Sequence, residues 1–328
     1  MPAGHAGGRA VTPPAPIPID AVPTETAPAP APRSVLPVVA VLAALHLAVI
    51  AGALAIAAYA FGPVAELTDT GSMRFPVQFF LEIVVLLVGL VFLLTREHWF
   101  VKLIAETLIQ GLFLLPVAVS LFGLAVIACP DSMSGSVIGP VSFGAAVAVT
   151  AAAALANRVI VHDAIGVLTI TFITALVGVT VGVVPLMVLL GAMMVLDAIA
   201  VYLSKHMIVL VSRTAGLRLA PILIVPPTLA GLLARPNQLA EDRFRGGTGG
   251  AILGFGDFFF PVVLVVSAAT FLPGLGPAVG AAIGIVAGYV ALGMLLGNGR
   301  AHAGLPPLAG GALAGCVLGA VLTGVPLW

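Results

Sequence analysis

Charged side chains are the scarcest feature of this 328-residue chain. Asp, Glu, Lys and Arg make up only 8% of its residues, whereas 61% are apolar; a soluble globular chain has about 25% charged residues. So few charges cannot cover the surface of a folded domain in water. The 13 basic residues are balanced by 13 acidic ones, so there is no excess positive charge for binding phosphates. A water-soluble enzyme, a nucleic-acid-binding protein and a secreted disulfide-rich domain are therefore excluded.

Cysteine is also rare, with Cys129 at the end of one apolar run and Cys316 in the middle of another. Two cysteines placed in this way indicate neither a disulfide framework nor a metal-binding pattern. We interpret both as small apolar side chains that fill space between helices. The sequence predicts no metal and no cofactor.

Apolar runs of about 20 residues, long enough to cross a bilayer as helices, recur along the chain, whose mean hydropathy is +1.22. This pattern predicts an all-α, multi-pass protein of the cell membrane. Eight or ten spans are also compatible with the sequence. The best interpretation has nine, at 35–61, 75–94, 103–128, 137–156, 164–182, 184–204, 251–271, 274–297 and 304–327.

Two segments lie outside these spans. Residues 1–33 contain nine prolines and no apolar run, a composition typical of a disordered tail that lacks the pattern of a signal peptide. Residues 34–328 form the predicted membrane domain, and its one large loop is 205–250. We interpret this loop as lying on the anionic leaflet; a dedicated binding element is the alternative.

The basic residues predict the orientation of the chain. Twelve of the 13 lie on the same side as the N-terminus, and Arg74 is the exception. Since loops rich in Lys and Arg stay in the cytoplasm, we expect a cytoplasmic N-terminus, an external C-terminus and a cytoplasmic 205–250 loop.

Four acidic residues lie within the spans, where each costs about 2.5 to 3.5 kcal/mol at a helix centre: Glu82, Glu106, Asp197 and Asp257. Glu106 can reach Lys102 one turn earlier. For Glu82, a protonated, hydrogen-bonded carboxyl and a functional one are both open. Asp197 and Asp257 fall on antiparallel helices at similar depths, about 12 and about 10 Å below the cytoplasmic surface. Two adjacent carboxyls at one level predict a pair that shares a single proton.

The stretch GFGDFFFP around Asp257 indicates a helix that is loosened at the acid. Pro261 has no N–H to donate to the carbonyl of Asp257, and Gly254 and Gly256 are expected to let another backbone approach. In a pair that shares one proton, the ionised carboxyl takes a proton from water while the protonated one donates to a peptide carbonyl. The predicted chemistry is amide hydrolysis without a covalent intermediate, in a cavity that water enters from the cytoplasmic side.

Three stretches, LDAIAVYLSKHM around Asp197, GFGD at 254–257 and AGLPPLAGGA at 303–312, resemble in order the YD, GxGD and PAL motifs of one family. This is the presenilin and signal-peptide-peptidase family of intramembrane aspartyl proteases, and the likeness is greatest to its archaeal presenilin-type members. The resemblance covers residues 35–328. It implies a nine-helix fold with Asp197 and Asp257 as the catalytic pair, and active-site support from Gly254, Gly256, Ala303, Gly304, Leu305 and Pro306.

The resemblance also implies that the substrates are single transmembrane segments with external N-termini, which must unwind before cleavage because a hydrogen-bonded helix hides its amides. The sequence differs from the family motifs in two places, and we expect these differences to affect the catalytic efficiency more than the class of reaction. Leu196 replaces the Tyr of YD, and Ala303 to Leu305 read AGL in place of PAL, although Pro306 follows. The expected partners are these substrates and the lipid bilayer, with no nucleic acid; oligomers and auxiliary subunits stay open.

Glycines recur every four residues in the last two spans and predict closely packed helices: Gly276, Gly280, Gly284, Gly288, Gly311, Gly315 and Gly319. Three functions other than the protease are alternatives. A prepilin-type peptidase also has GxGD, but there a lysine usually follows, whereas Phe258 follows here. An ion-coupled or proton-coupled transporter would use the four acids as a relay, yet the chain shows no internal repeat. The third is a catalytically silent scaffold.

Overall fold

Helices dominate the part of the chain that the computed structural model describes, which comprises residues 36–61, 73, 77–78, 80–82, 84–86, 88–89, 99–128, 135–203, 222–236, 238–239, 251–296 and 302–327. The predicted tail 1–33, Cys129 and the side chains of Lys102 and Glu106 lie outside this description. The described helices are α1 (Leu36–Ala60), α2 (Trp99–Ala128), α3 (Gly135–Ala156), α4 (Val159–Gly178), α5 (Val183–Ala198), α6 (Phe255–Phe271), α7 (Gly276–Leu296) and α8 (Leu305–Thr323). Positions 77–78, 80–82, 84–86 and 88–89 are helical as well.

Most of these helices are long and apolar enough for a bilayer. Five described segments have both the length and the hydropathy to cross a membrane, and three shorter apolar ones lie at Leu114–Ile127, Pro140–Ala153 and Phe255–Phe271. The predicted all-α, multi-pass membrane architecture is confirmed. The count of nine spans and the cytoplasmic N-terminus stay predictions.

Helix α6 lies at the centre of the described bundle and contacts α1, α4, α5, α7 and α8. Residues Val262 to Val266 in its middle are fully buried, with at most 1% of their surface exposed. A helix surrounded in this way is expected to be apolar on all faces, which explains why its sequence shows no amphipathic period. The residues at the start of α6 are consequently held by the whole bundle.

The predicted helical span 251–271 is wrong at its first turn. Residues Ala251–Gly254 form strand β2, which pairs in an antiparallel direction with strand β1, Ile222–Val225. In this register Ile222 lies opposite Gly254, and Val225 lies opposite Ala251. All four residues of β1 are buried, so part of the predicted 205–250 loop is core structure. A short apolar run has the same composition in a buried strand and in a helix, which is why the pattern alone misled.

Helices α7 and α8 pack through their glycines, as predicted. A Cβ atom added to Gly280 would overlap the carbonyl oxygen of Gly315, and one added to Gly284 would overlap that of Gly311. Only glycine lets two backbones approach this closely. Cys316 is a free, fully buried thiol on α8, in agreement with its predicted role as an apolar filler. The N-terminal end of α8 is thereby fixed relative to the centre of the bundle.

Candidate active site

Asp257 lies in the first turn of α6, directly after β2. The backbone enters the helix through Gly254 in an extended conformation, and the Gly254 N–H donates a hydrogen bond to Asp257 Oδ2 at 3.2 Å. A carboxylate in the first turn is favoured because the free N–H groups there carry partial positive charge. Asp257 is thus held at the junction of strand and helix, rather than two turns inside a helix as the predicted span implied.

Asp197 lies on α5, one residue before the helix ends at Ala198, and is half-buried. Its Oδ2 accepts a hydrogen bond from the Leu305 N–H at 3.2 Å. Beyond it, Ile199–Leu203 form a π-helical turn, a wider turn that occurs mostly as a local insertion and often at functional sites. Leu196, which stands where the family motif has Tyr, packs against the main apolar core.

The segment 303–305 joins the two acids. Ala303, Gly304 and Leu305 are buried. A Cβ atom built on Gly304 would lie 2.7 Å from Asp257 Oδ2 and 2.9 Å from its Cγ, so the glycine hydrogen faces that carboxyl. The next residue, Leu305, donates its N–H to Asp197. Two consecutive residues therefore each contact one of the two carboxyls.

This arrangement limits the separation of the acids. Since neighbouring residues are one peptide unit apart, the contacts of Gly304 and Leu305 keep the two Oδ2 atoms within about 9 Å of each other. Two carboxylates this close in a low-dielectric site would repel each other. The structure therefore brings together the two acids singled out in the sequence and the Ala303–Leu305 segment.

The two glycines of GFGD have different surroundings. The nearest atom to a Cβ on Gly254 is Asp257 Oδ2 at 3.5 Å, and the nearest to one on Gly256 is the Phe260 ring at 3.6 Å. Both are ordinary contacts within the same segment, so no other backbone of the described residues fills the space that a side chain would take there. Another backbone does approach Gly254 as expected, because strand β1 pairs with it at Ile222. At Gly256 no backbone from another element lies within 4 Å of that space among the described residues, so the expectation was wrong there. The closest contact of this kind near the acids is at Gly304, against the Asp257 carboxyl.

The remaining acids have other surroundings. Glu82 is exposed and accepts a hydrogen bond from Gln78 Nε2, one turn earlier, at 2.8 Å. Asp163 was missed because the predicted span began at residue 164. It lies in α4, where its Oδ1 is 3.3 Å from the Ile224 N–H and 3.2 Å from His162 Nδ1. Asp163 therefore links β1 to α4. Because β1 pairs with β2, this contact also helps to hold the start of α6.

A buried polar pair behind the acids was also missed. His46, in the middle of α1, places its Nδ1 3.0 Å from the hydroxyl of Tyr289 on α7, and both residues are almost fully buried. The His46 ring stacks on Phe258, the residue after Asp257, with ring centres 4.7 Å apart. The only sequence signal was a lone histidine in an apolar run, which more often fills a core than serves a site.

The chain is similar to a family of known proteins and to solved structures. The family model described as signal-peptide peptidase, presenilin aspartyl protease, matches residues 35–325. Two solved structures, described as a presenilin family intramembrane aspartate protease in P2 and C222 space groups, are similar to the chain with TM-scores of 0.56 and 0.57. They are 27% and 26% identical to it, over 86% and 88% of this chain and 96% and 100% of theirs. No curated protein sequence gives a significant match.

The family match spans most of the chain, and the solved structures share both its fold and about a quarter of its residues. Nothing in these comparisons favours the transporter or the prepilin-type peptidase. The chain belongs to the signal-peptide peptidase and presenilin family and is an intramembrane aspartic endopeptidase.

Proposed function

We propose that Asp197 and Asp257 are the catalytic pair of this protease. The observation that supports this most directly is their shared contact with one buried segment: Gly304 lies against the carboxyl of Asp257, and Leu305 donates to that of Asp197. In our proposal the pair carries a single proton, because ionising two neighbouring carboxyls in a low-dielectric site is costly.

The reaction then follows from the two protonation states. The ionised carboxyl removes a proton from a water molecule, which attacks the peptide carbonyl carbon, and the protonated carboxyl donates to the carbonyl oxygen. Collapse of the tetrahedral intermediate breaks the C–N bond: the amide nitrogen takes the proton that the first carboxyl removed from water, and a hydroxyl of the intermediate returns a proton to the second carboxyl. No bond forms between enzyme and substrate, so both products leave by dissociation.

The backbone contacts give each acid a fixed orientation. Both hydrogen bonds go to Oδ2, from Gly254 to Asp257 and from Leu305 to Asp197. This leaves Oδ1 of each carboxyl to face water and substrate in our proposal. Gly254, Gly256 and the segment from Ala303 to Pro306 are proposed as supports of the site, and the lack of a side chain at Gly304 leaves room for the Asp257 carboxyl.

The substrates are transmembrane segments of other membrane proteins, and we propose that their N-termini lie outside the cell membrane. The distribution of Lys and Arg supports a cytoplasmic N-terminus of the enzyme, since 12 of 13 lie on one side of the predicted spans. In this topology residues 34–328 form a nine-helix protease domain, and the tail 1–33 and the 205–250 loop are cytoplasmic. The target segment must unwind locally because the amides of an intact helix are already hydrogen-bonded.

Two matched substrates test this proposal in a bacterial membrane. They carry the same transmembrane segment and differ only in the position of flanking lysines, which sets the N-terminus outside or inside. We expect cleavage within the apolar segment of the first substrate, mapped by mass spectrometry of the products, and cleavage of the second to be at least about tenfold slower. Equal cleavage of both, or a preference for the second, would contradict the proposed orientation.

A further inference from the structure

Ala303 is the first residue of the stretch that resembles the PAL motif, and its backbone has a hydrogen-bond donor that the proline of that motif lacks. Where the related motif has proline, which has no backbone N–H, Ala303 carries one, and only 1% of this residue is exposed. A buried N–H without a partner costs about 1 to 3 kcal/mol. The departure from the motif therefore requires an acceptor close to Ala303.

Tyr202 supplies that acceptor. Its hydroxyl oxygen lies 3.4 Å from the Ala303 nitrogen, which donates to it, and 3.4 Å from Nδ1 of His302. The rings of Tyr202 and His302 meet edge to face, with centres 6.3 Å apart. A hydroxyl both accepts and donates, so Tyr202 accepts from Ala303 and donates to His302 when the histidine proton is on Nε2.

The location of Tyr202 connects this contact to the acids. Tyr202 lies in the π-helical turn Ile199–Leu203, five residues after Asp197 on the same continuous helical segment. This helical segment therefore binds the 303–305 segment through two hydrogen bonds. Tyr202 accepts from the Ala303 N–H, and Asp197 accepts from the Leu305 N–H. Gly304, which faces Asp257, lies between these two points.

We propose that Tyr202 is a positioning residue for the protease reaction: its hydroxyl binds the Ala303 N–H and keeps Gly304 and Leu305 aligned with the two carboxyls. This rests on the proposed catalytic role of Asp197 and Asp257. It also accounts for one departure from the family motifs, since the Tyr202 hydroxyl accepts from the N–H that Ala303 introduces. The role is one of alignment, so it acts on kcat rather than on substrate binding.

A double-mutant cycle tests the proposal. Tyr202→Phe keeps the ring and removes the hydroxyl, and Ala303→Pro removes the N–H that the hydroxyl binds. We expect Tyr202→Phe to lower kcat about tenfold in the wild-type chain with KM within about twofold, and to change kcat less than about twofold in the Ala303→Pro chain. In an Ala303→Gly chain, which keeps the N–H, the tenfold loss is expected to persist. Equal losses in the Pro and Gly chains, or no loss in the wild type, would overturn the proposal.

A second measurement does not depend on the folding of the Ala303→Pro chain. Hydrogen exchange of a peptide covering 302–305 is expected to quicken at least about tenfold in Tyr202→Phe, while peptides within Leu308–Ala320 of α8 stay unchanged. Unchanged exchange at 302–305 would show that the Tyr202 hydroxyl does not bind the Ala303 N–H, and would overturn the proposal. Asp197→Asn is measured in the same cleavage assay, because persistent cleavage in that variant refutes the catalytic pair whatever the Tyr202 cycle shows.

Discussion

Replacing either Asp197 or Asp257 by asparagine is expected to reduce the rate of substrate cleavage by at least about 1,000-fold. Asparagine has the size of aspartate and still offers an oxygen to the N–H of Leu305 or Gly254. It cannot carry the proton that the pair shares, and proton transfer by a positioned group contributes about 10² to 10⁴ in rate. The fold should survive because the backbone contacts of each acid are kept.

The measurement is kcat for a transmembrane peptide in liposomes, together with thermal unfolding in detergent to show that each variant is folded. Glu82→Gln is the matched control, because Glu82 is an exposed acid of a predicted span that is bonded to Gln78. We expect it to retain activity within about twofold of wild type. Substantial cleavage by a folded Asp197→Asn or Asp257→Asn variant would remove that residue from the catalytic pair.

Gly304→Ala is expected to produce the second largest loss, at least about 100-fold in kcat. The added methyl group would lie 2.7 Å from Asp257 Oδ2 and 3.1 Å from Leu253 Cδ1, so the carboxyl or the 303–305 segment must move. A displacement of about 1 Å at a reacting group costs about 10² in rate. The backbone of Gly304, with φ −81° and ψ −37°, is accessible to alanine, so the effect comes from this contact and not from backbone strain.

Gly191→Ala is the control for this change. Gly191 lies on α5, the helix that carries Asp197, and a Cβ atom built there meets nothing within 4 Å among the described residues. Alanine within a helix is favoured over glycine by about 0.5 to 1 kcal/mol, so Gly191→Ala should be at least as stable as wild type and fully active. Cleavage by Gly304→Ala within about twofold of wild type would show that Gly304 does not constrain Asp257.

The sequence predicts the helices well because their signal is local. Runs of apolar residues near the length of a bilayer predicted 137–156, found as Gly135–Ala156, and 184–204, found as Val183–Ala198 with its π-helical turn. The four-residue spacing of glycine predicted the close contact of α7 and α8, since it sets which residues line one helix face. The two intramembrane aspartates are visible because charge is costly in lipid.

Most of the failures have a different origin, because they depend on contacts between distant parts of the chain. Strand β2 needs β1, about 30 residues earlier, to be a strand at all. Neither the contact of Gly304 with Asp257 nor the hydrogen bond between Ala303 and Tyr202 is encoded by spacing, because each joins two elements far apart in sequence. Asp163 was lost to a boundary error of a single residue. Tertiary packing decides such details, and no local pattern specifies it.

The dependence of cleavage on pH tests the shared proton most directly. If only the singly protonated state of the Asp197–Asp257 pair reacts, kcat/KM of the wild-type enzyme must fall on both sides of an optimum, with the two apparent pKa values belonging to the pair. At low pH no carboxylate is left to take a proton from water, and at high pH no acid is left to donate one. A rate that instead rises with pH to a plateau, with no fall on the alkaline side in a folded enzyme, would mean that one carboxylate works alone and would contradict the account.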